Sequence, residues 1–275
     1  MRKFKKLVFG PAGVPLSSPK RDTFSGLVYT YEELKLEGME LEFTYGVKLK
    51  EEVAEKIKEY IKDKEFVLTA HAPYYINLNS EGSKFEKSIN MLYQSAKITY
   101  LAGGFSVAFH PGWYMKSSKE EAYRRIKEGL KKVVDRLNDE GIKIYIRPET
   151  MEMNNKFGDL DEVIKLSQEI ENVLPAIDFA HLRYRYNRND IEFFVEVLER
   201  IEDELGKDVL SNMHIHMSGI LMDKKGTHTV LDESDIPWKD ILLLLKDFNV
   251  KGIVISESPN IEQDALKMKE YFEKL

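Results

Sequence analysis

The chain contains no cysteine. That excludes disulfides and thiolate metal ligands, so any metal must be held by imidazole and carboxylate, a donor set that suits zinc, manganese or iron. It has no apolar run of about 18 residues, the length a membrane-spanning helix needs. A signal-peptide core is missing too. Met1-Arg2-Lys3-Phe4-Lys5-Lys6 is basic, but the following Leu7-Val8-Phe9 is too short for an apolar signal segment and reads as a first strand. We expect a cytoplasmic protein without a membrane partner. Positive charge is not in excess either: 41 Lys and Arg stand against 47 Asp and Glu, a net charge of −6. This disfavours binding to nucleic acid through bulk charge, although a local basic patch or a bound metal reverses the field at a site.

What is present is enough chain, 275 residues at 43% hydrophobic, for one large domain with a real core. The charged fraction of 32% is a composition that thermophiles favour, and also one that any set of solvated helices needs. The central stretch Lys143-Ile144-Tyr145-Ile146-Arg147-Pro148-Glu149 is apolar, β-branched and aromatic, hence a strand. Pro148 cannot donate to a sheet ladder, so the strand ends there and delivers Glu149 just beyond it. The same event recurs along the chain. Apolar runs stop and are followed at once by His71, His110, Asp178, His214 or Glu257.

Strands are expected at Leu7–Gly10, Met39–Phe43, Phe66–Ala70, Phe105–Phe109, Lys143–Arg147, Val173–Ile177, Val209–Ile215 and Gly252–Ile255. Helical spacing fills the intervals, as in Ile126, Leu130, Val133, Val134 and Leu137. Ser117 and Ser118, each three residues before a glutamate, are candidate caps for that helix, and Gly141 is its candidate stop. Eight strands alternating with helices, with no linker, imply a parallel sheet. In about 250 residues this is the (β/α)8 TIM barrel norm, so the expected fold is α/β, a single TIM-barrel domain over residues 1–275. In a barrel the residues after each strand face one mouth; an open doubly wound sheet is the rival.

The six histidines, His71, His110, His181, His214, His216 and His228, all fall at or just beyond an expected strand end, none on a helix face. A lone histidine is ordinarily a satisfied core or surface residue. Six in one topological position, beside carboxylates, point to a metal centre around Glu149. Asp178-Phe179-Ala180-His181 puts an acid and an imidazole three residues apart, where both can face one side. Asp178 and Glu257 are equally suited to capping helices. His214 and His216 share one strand face. Paired carboxylates also serve as acid and base in sugar isomerases, so these residues alone do not choose the chemistry.

At these motifs the chain resembles endonuclease IV, the metal-dependent apurinic/apyrimidinic endonucleases of the xylose isomerase-like barrels. Ala70-His71-Ala72-Pro73-Tyr74-Tyr75-Ile76-Asn77-Leu78 is the most specific match. Phe109-His110-Pro111-Gly112, Glu149-Thr150, Ile177-Asp178 with His181, Met213-His214, and Ile255-Ser256-Glu257-Ser258-Pro259 follow in order. The resemblance implies three zinc ions. The first takes His71, His110 and Glu149. The second takes Glu149, Asp178, His214 and Glu257. The third takes His181, His228 and an aspartate two residues before His228. Here that position is Gly226, so the third set is short of a ligand, with His216 or Asp223 as candidate substitutes. The bulkier Met151-Glu152-Met153-Asn154-Asn155 after Glu149, and His216-Met217 where the family has Asn-Asp, mark a divergent branch.

The resemblance further implies DNA with abasic sites as partner and hydrolysis of the phosphodiester 5′ to the lesion. Glu149 would hold two metals and Glu257 would orient the attack. The abasic nucleotide must leave the helix to reach such a site. Tyr74 or Tyr75 is then a candidate to fill the gap, and Arg147 to meet Glu149 or a phosphate. Lys3, Lys5, Lys6, Lys20, Arg21, Arg183, Arg185 and Arg188 are candidates for a basic groove, Arg183 foremost because it follows His181. Two alternatives stand. One is a single-metal sugar or sugar-phosphate isomerase or epimerase using Glu149, Asp178, His214 and Glu257. The other is a protein that binds damaged DNA without cutting it.

Overall fold

The computed structural model describes residues 4–275; Lys3 of the expected groove, and the first three residues of the basic N-terminus, lie outside them. In chain order come strand β1 (Leu7–Pro11), helix α1 (Thr23–Glu32), β2 (Gly38–Glu42), α2 (Glu51–Ile61), β3 (Val67–His71) and α3 (Gly82–Leu101). Next are β4 (Ser106–Phe109), α4 (Lys119–Asp139), β5 (Tyr145–Pro148), α5 (Leu160–Glu169) and β6 (Ala176–Asp178). The chain ends with α6 (Phe179–Tyr186), α7 (Ile191–Leu205), β7 (Met213–Met217), α8 (Trp238–Asp247), β8 (Gly252–Ser256) and α9 (Glu262–Lys274).

The chain divides into two compact units, one made of the residues up to Glu40 together with Ala176–Leu275, the other of Leu41–Pro175. In the first unit the sheet order is β1-β8-β7-β6, with parallel pairing throughout. β6 and β7 are in a register that sets Asp178 directly opposite His216. In the second unit β3, β4 and β5 pair in parallel. β5 stops at Pro148, as the missing amide requires.

The strands are buried nearly end to end: all five residues of β1, β3, β7 and β8 are buried. That is the signature of a parallel sheet covered on both faces. Helix α4 buries Ile126, Leu130, Val133, Val134 and Leu137, the stripe its spacing prescribes. Ser118 is its cap: its side chain accepts from the Glu121 amide while the Glu121 carboxylate accepts from the Ser118 amide. Gly141 follows the helix in the left-handed region, at φ 70°.

Three expectations are corrected. Residues 207–212 form a 3-10 helix, and the seventh strand starts only at Met213. The sixth strand is confined to Ala176–Asp178, with Val173 making only an isolated bridge to Ile146. His181 lies in the first turn of α6 and so is on a helix.

Candidate metal centres

In the second unit, β3 ends on His71, β4 is followed by His110 and β5 by Glu149, and these three present ligand atoms within 4.8 Å of one another. Glu149 Oε2 lies 3.0 Å from His71 Nε2 and 3.3 Å from His110 Nε2. His71 Nδ1 lies 2.7 Å from the Ala72 carbonyl oxygen. A carbonyl only accepts, so Nδ1 carries the proton and Nε2 is left as a donor for a metal. Burial pushes the His110 pKa down; Glu149 opposes this but does not outweigh it, which keeps the ring in the neutral, ligating form. The Tyr74 ring sits 5.2 Å from both the His71 and the His110 rings and is 40% exposed, as a residue roofing the site from the solvent side must be.

Two loops of this unit interlock to hold the histidines. Leu78 donates its amide to the Pro111 carbonyl, and Asn79 Nδ2 donates to the Trp113 and Tyr114 carbonyls. Gly112 packs so closely on Asn77 that a Cβ there would lie 2.2 Å from Asn77 Oδ1, and its φ of +136° is one that side chains rarely adopt. The Asn77-Leu78 and Pro111-Gly112 ends of the two motifs are therefore one structural feature.

In the first unit, Asp178, His216 and Glu257 form a set, and Asp178, His181 and His228 another, each within 4.8 Å. Asp178 does cap α6: its Oδ1 accepts from the His181 amide at 2.7 Å, while Oδ2 lies 3.6 Å from His181 Nδ1. His181 Nε2 and His228 Nε2 are 3.0 Å apart. Glu257 reaches both sets, with Oε1 at 3.3 Å from His216 Nδ1 and Oε2 at 3.7 Å from His228 Nδ1. The donor chemistry of all these sets, imidazole nitrogen and carboxylate oxygen, fits a borderline divalent metal.

Several expected roles change. His214 does not group with Asp178 and Glu257; it turns to Glu40, with Nε2 at 2.7 Å from Glu40 Oε2, and His216 takes the place expected for it. Asp223 does not complete the third set. Its carboxylate accepts from the Lys225 and Thr227 amides and the Thr227 hydroxyl, closing a turn in which Gly226 adopts φ 62°. Asp178 supplies the third carboxylate instead. Arg183 is buried and forms a two-pronged pair with Asp235, at 3.1 and 2.7 Å, so it is not a free substrate contact. Arg147 is wholly buried and donates to the Pro175 carbonyl, out of reach of a phosphate in solvent. Of the other groove candidates, Lys6 pairs with Glu37, Arg188 pairs with Asp190 and Glu196, and Arg21 donates to the Pro15 carbonyl.

Glu40 is the residue that reading the sequence missed. Burial pushes its carboxyl up, but the facing imidazoles of His216 and His214 outweigh this and hold it well below the usual carboxylate range. The signal was its position: in a sheet covered on both faces, an acid alternating with apolar residues faces an interior and not water.

A family model described as the xylose isomerase-like TIM barrel matches residues 28–275. An uncharacterized protein of Methanocaldococcus jannaschii is 43% identical over 98% of each chain. A probable endonuclease 4 of Mycoplasma pneumoniae is 27% identical over 70% of this chain and 68% of its own. Among solved structures, endonuclease IV from Thermus thermophilus aligns at a TM-score of 0.72 and 20% identity, covering 96% of this chain and all of the other. A D-tagatose 3-epimerase-like protein aligns equally well, at 0.72 and 21% identity over 96% of each. At these identities the two structures speak for the fold and not for a substrate. The match over nine-tenths of the sequence and the run of parallel strands followed by helices settle the fold class, and the chain belongs to the xylose isomerase-like TIM barrel family.

Proposed function

We propose that the protein is a metal-dependent phosphodiesterase that acts on DNA and hydrolyses the backbone 5′ to abasic sites. The observation that carries this reading is the His71–His110–Glu149 set, with Tyr74 over its two imidazoles. A sugar isomerase working with one metal on carboxylates and a single histidine has no use for it. The similarity to a probable endonuclease 4 supports the same choice. His71, His110 and Glu149 would hold one metal, Asp178, His216 and Glu257 a second, and Asp178, His181 and His228 a third. When bound, such metals, zinc or else manganese or iron, supply charge that activates water at neutral pH and stabilises oxygens gaining negative charge.

The chain's own groups do the rest. Glu149, wholly buried, fixes the two imidazoles of its set through one oxygen. Glu257, 12% exposed, is the acid of its set that solvent reaches, which suits it to orient the attacking water. Tyr74 and Tyr75, both exposed, offer aromatic faces to a gap in a base stack.

A second reading, a single-metal sugar or sugar-phosphate isomerase or epimerase, draws on Gly226, which stands where the resemblance calls for an aspartate. Metal content per chain, measured on protein purified without chelator and paired with a duplex carrying one abasic site, separates the two. We expect two or three metals and a clean incision 5′ to the lesion, with the incision lost in Glu149→Ala because its set is left with two imidazoles. One metal and no incision would rule the nuclease out and turn the assay to sugars.

A further inference from the structure

The proposed function gives Glu40 no task, yet both of its oxygens are buried against imidazoles. Oε2 lies 2.7 Å from His214 Nε2, and Oε1 lies 2.9 Å from His216 Nε2. None of the three residues is accessible to solvent. On the opposite edge of the same ring, His216 Nδ1 faces Glu257 Oε1 at 3.3 Å, in the set that includes Asp178. One imidazole therefore has its two nitrogens in two different settings.

A neutral imidazole carries one proton, and an ionised carboxylate can only accept. Glu40 is nearer than Glu257 and fully enclosed, so its claim on the His216 proton is the stronger. With the proton on Nε2, Nδ1 keeps its lone pair and points towards Asp178 and Glu257. The β6–β7 register, which sets Asp178 opposite His216, brings that lone pair to the carboxylates. His214, two residues earlier on the same strand face, lies against the second Glu40 oxygen.

We propose that Glu40 is a positioning residue: it holds His216 in the Nε2–H form so that Nδ1 is the nitrogen offered to a divalent cation alongside Asp178 and Glu257. His214 belongs to this support and is not itself a ligand. The assignment rests on the metal-dependent reading above. A carboxylate behind a ligating histidine fixes the ring and raises its basicity, and losing one typically costs 10- to 100-fold in metal affinity or activity.

The test is long-range proton–nitrogen correlation NMR of histidine-labelled, zinc-loaded protein. The expected spectrum has the His216 proton on Nε2 and its Nδ1 shifted by zinc, with His214 protonated on Nε2 and unmoved by the metal. Zinc on Nε2 of either residue would overturn the proposal and make Glu40, His214 and His216 a metal site in their own right. A proton on His216 Nδ1 would also overturn it.

Glu40→Gln leaves one acceptor oxygen for two imidazole donors. Its zinc affinity at the Asp178–His216–Glu257 set should fall about 10- to 100-fold, with the His71–His110–Glu149 set unaffected and Glu40→Asp restoring part of the loss. A folded Glu40→Gln protein with unchanged zinc affinity would refute the assignment. Should the wild-type protein bind no zinc at all, the metal-dependent reading fails by itself. The position of the His216 proton in metal-free protein at alkaline pH, where both rings are neutral, then decides the role of Glu40.

Discussion

Gly112 carries more of the second unit's candidate site than its size suggests. Its missing Cβ is what lets the loop after β4 lie on Asn77, and that contact keeps His110 beside His71. Gly112→Ala meets both a contact of 2.2 Å and a φ of +136°. We expect a loss of about 1–3 kcal/mol in denaturant unfolding, the usual cost of forcing extra volume into a packed site. Weakened metal retention at the His71–His110–Glu149 set should accompany it; intact retention would show that the interlock does not position the ligands. Tyr74→Ala should separate differently. On the proposed phosphodiesterase reading, its loss should raise KM for an abasic duplex by about 1–3 kcal/mol of stacking while leaving kcat nearly unchanged. At this scale the sequence was legible where a strand end delivers the residue, as for His71, His110 and Glu149. The choice between His214 and His216 was not, because it depends on strand register: both are apolar-flanked histidines on one face, and only the pairing of β6 with β7 shows which one meets Asp178.

Elements were legible in proportion to their amphipathicity and their stop signals. Helix α4 has a full stripe, a capping box and a glycine stop, and it forms as its residues prescribe. Ser118→Ala removes the cap acceptor for the Glu121 amide and should cost about 1 kcal/mol in a urea titration. Ser117→Ala should cost markedly less, since the structure uses Ser118 and not Ser117 as the cap. Equal losses would mean that the box is not what starts the helix. Helix α1 escaped the reading because it buries only Gly26, Leu27 and Thr30, too sparse a face to produce a period. Helix α6 escaped because Phe179-Ala180-His181-Leu182-Arg183 is buried all round, polar residues included, leaving no exposed face to alternate against. The 3-10 segment at residues 207–212 imitated a strand: Val209 and Leu210 are buried apolar residues leading directly into β7.

Acid should dismantle the whole molecule in two stages, because two groups of ionisable residues sit in different environments. Metal ligands must be deprotonated to bind, and burial lowers the His110 pKa below the ordinary histidine value, so metal is released as the pH falls below about 6.5. The second group is structural. Burial raises the Glu37 carboxyl, but hydrogen bonds from Lys269 and Lys6, both at 2.9 Å, outweigh it and the pKa is lowered. Burial likewise raises Asp264, and the Leu231 amide with Ser258 and Asn260 brings it below its usual value. A carboxyl whose folded pKa is depressed stabilises the fold above its unfolded pKa, and that contribution is lost as pH falls through the folded value. The structural stage therefore belongs below about pH 4. Metal held at a thousand times its Kd adds about 4 kcal/mol to the folded state. We expect the Tm of zinc-loaded protein to fall first below about pH 6.5 and again below about pH 4. Chelated protein should start from the lower Tm and show only the second fall. Superimposable profiles with and without chelator would mean that these histidines and carboxylates hold no metal, and the hydrolytic reading would go with them.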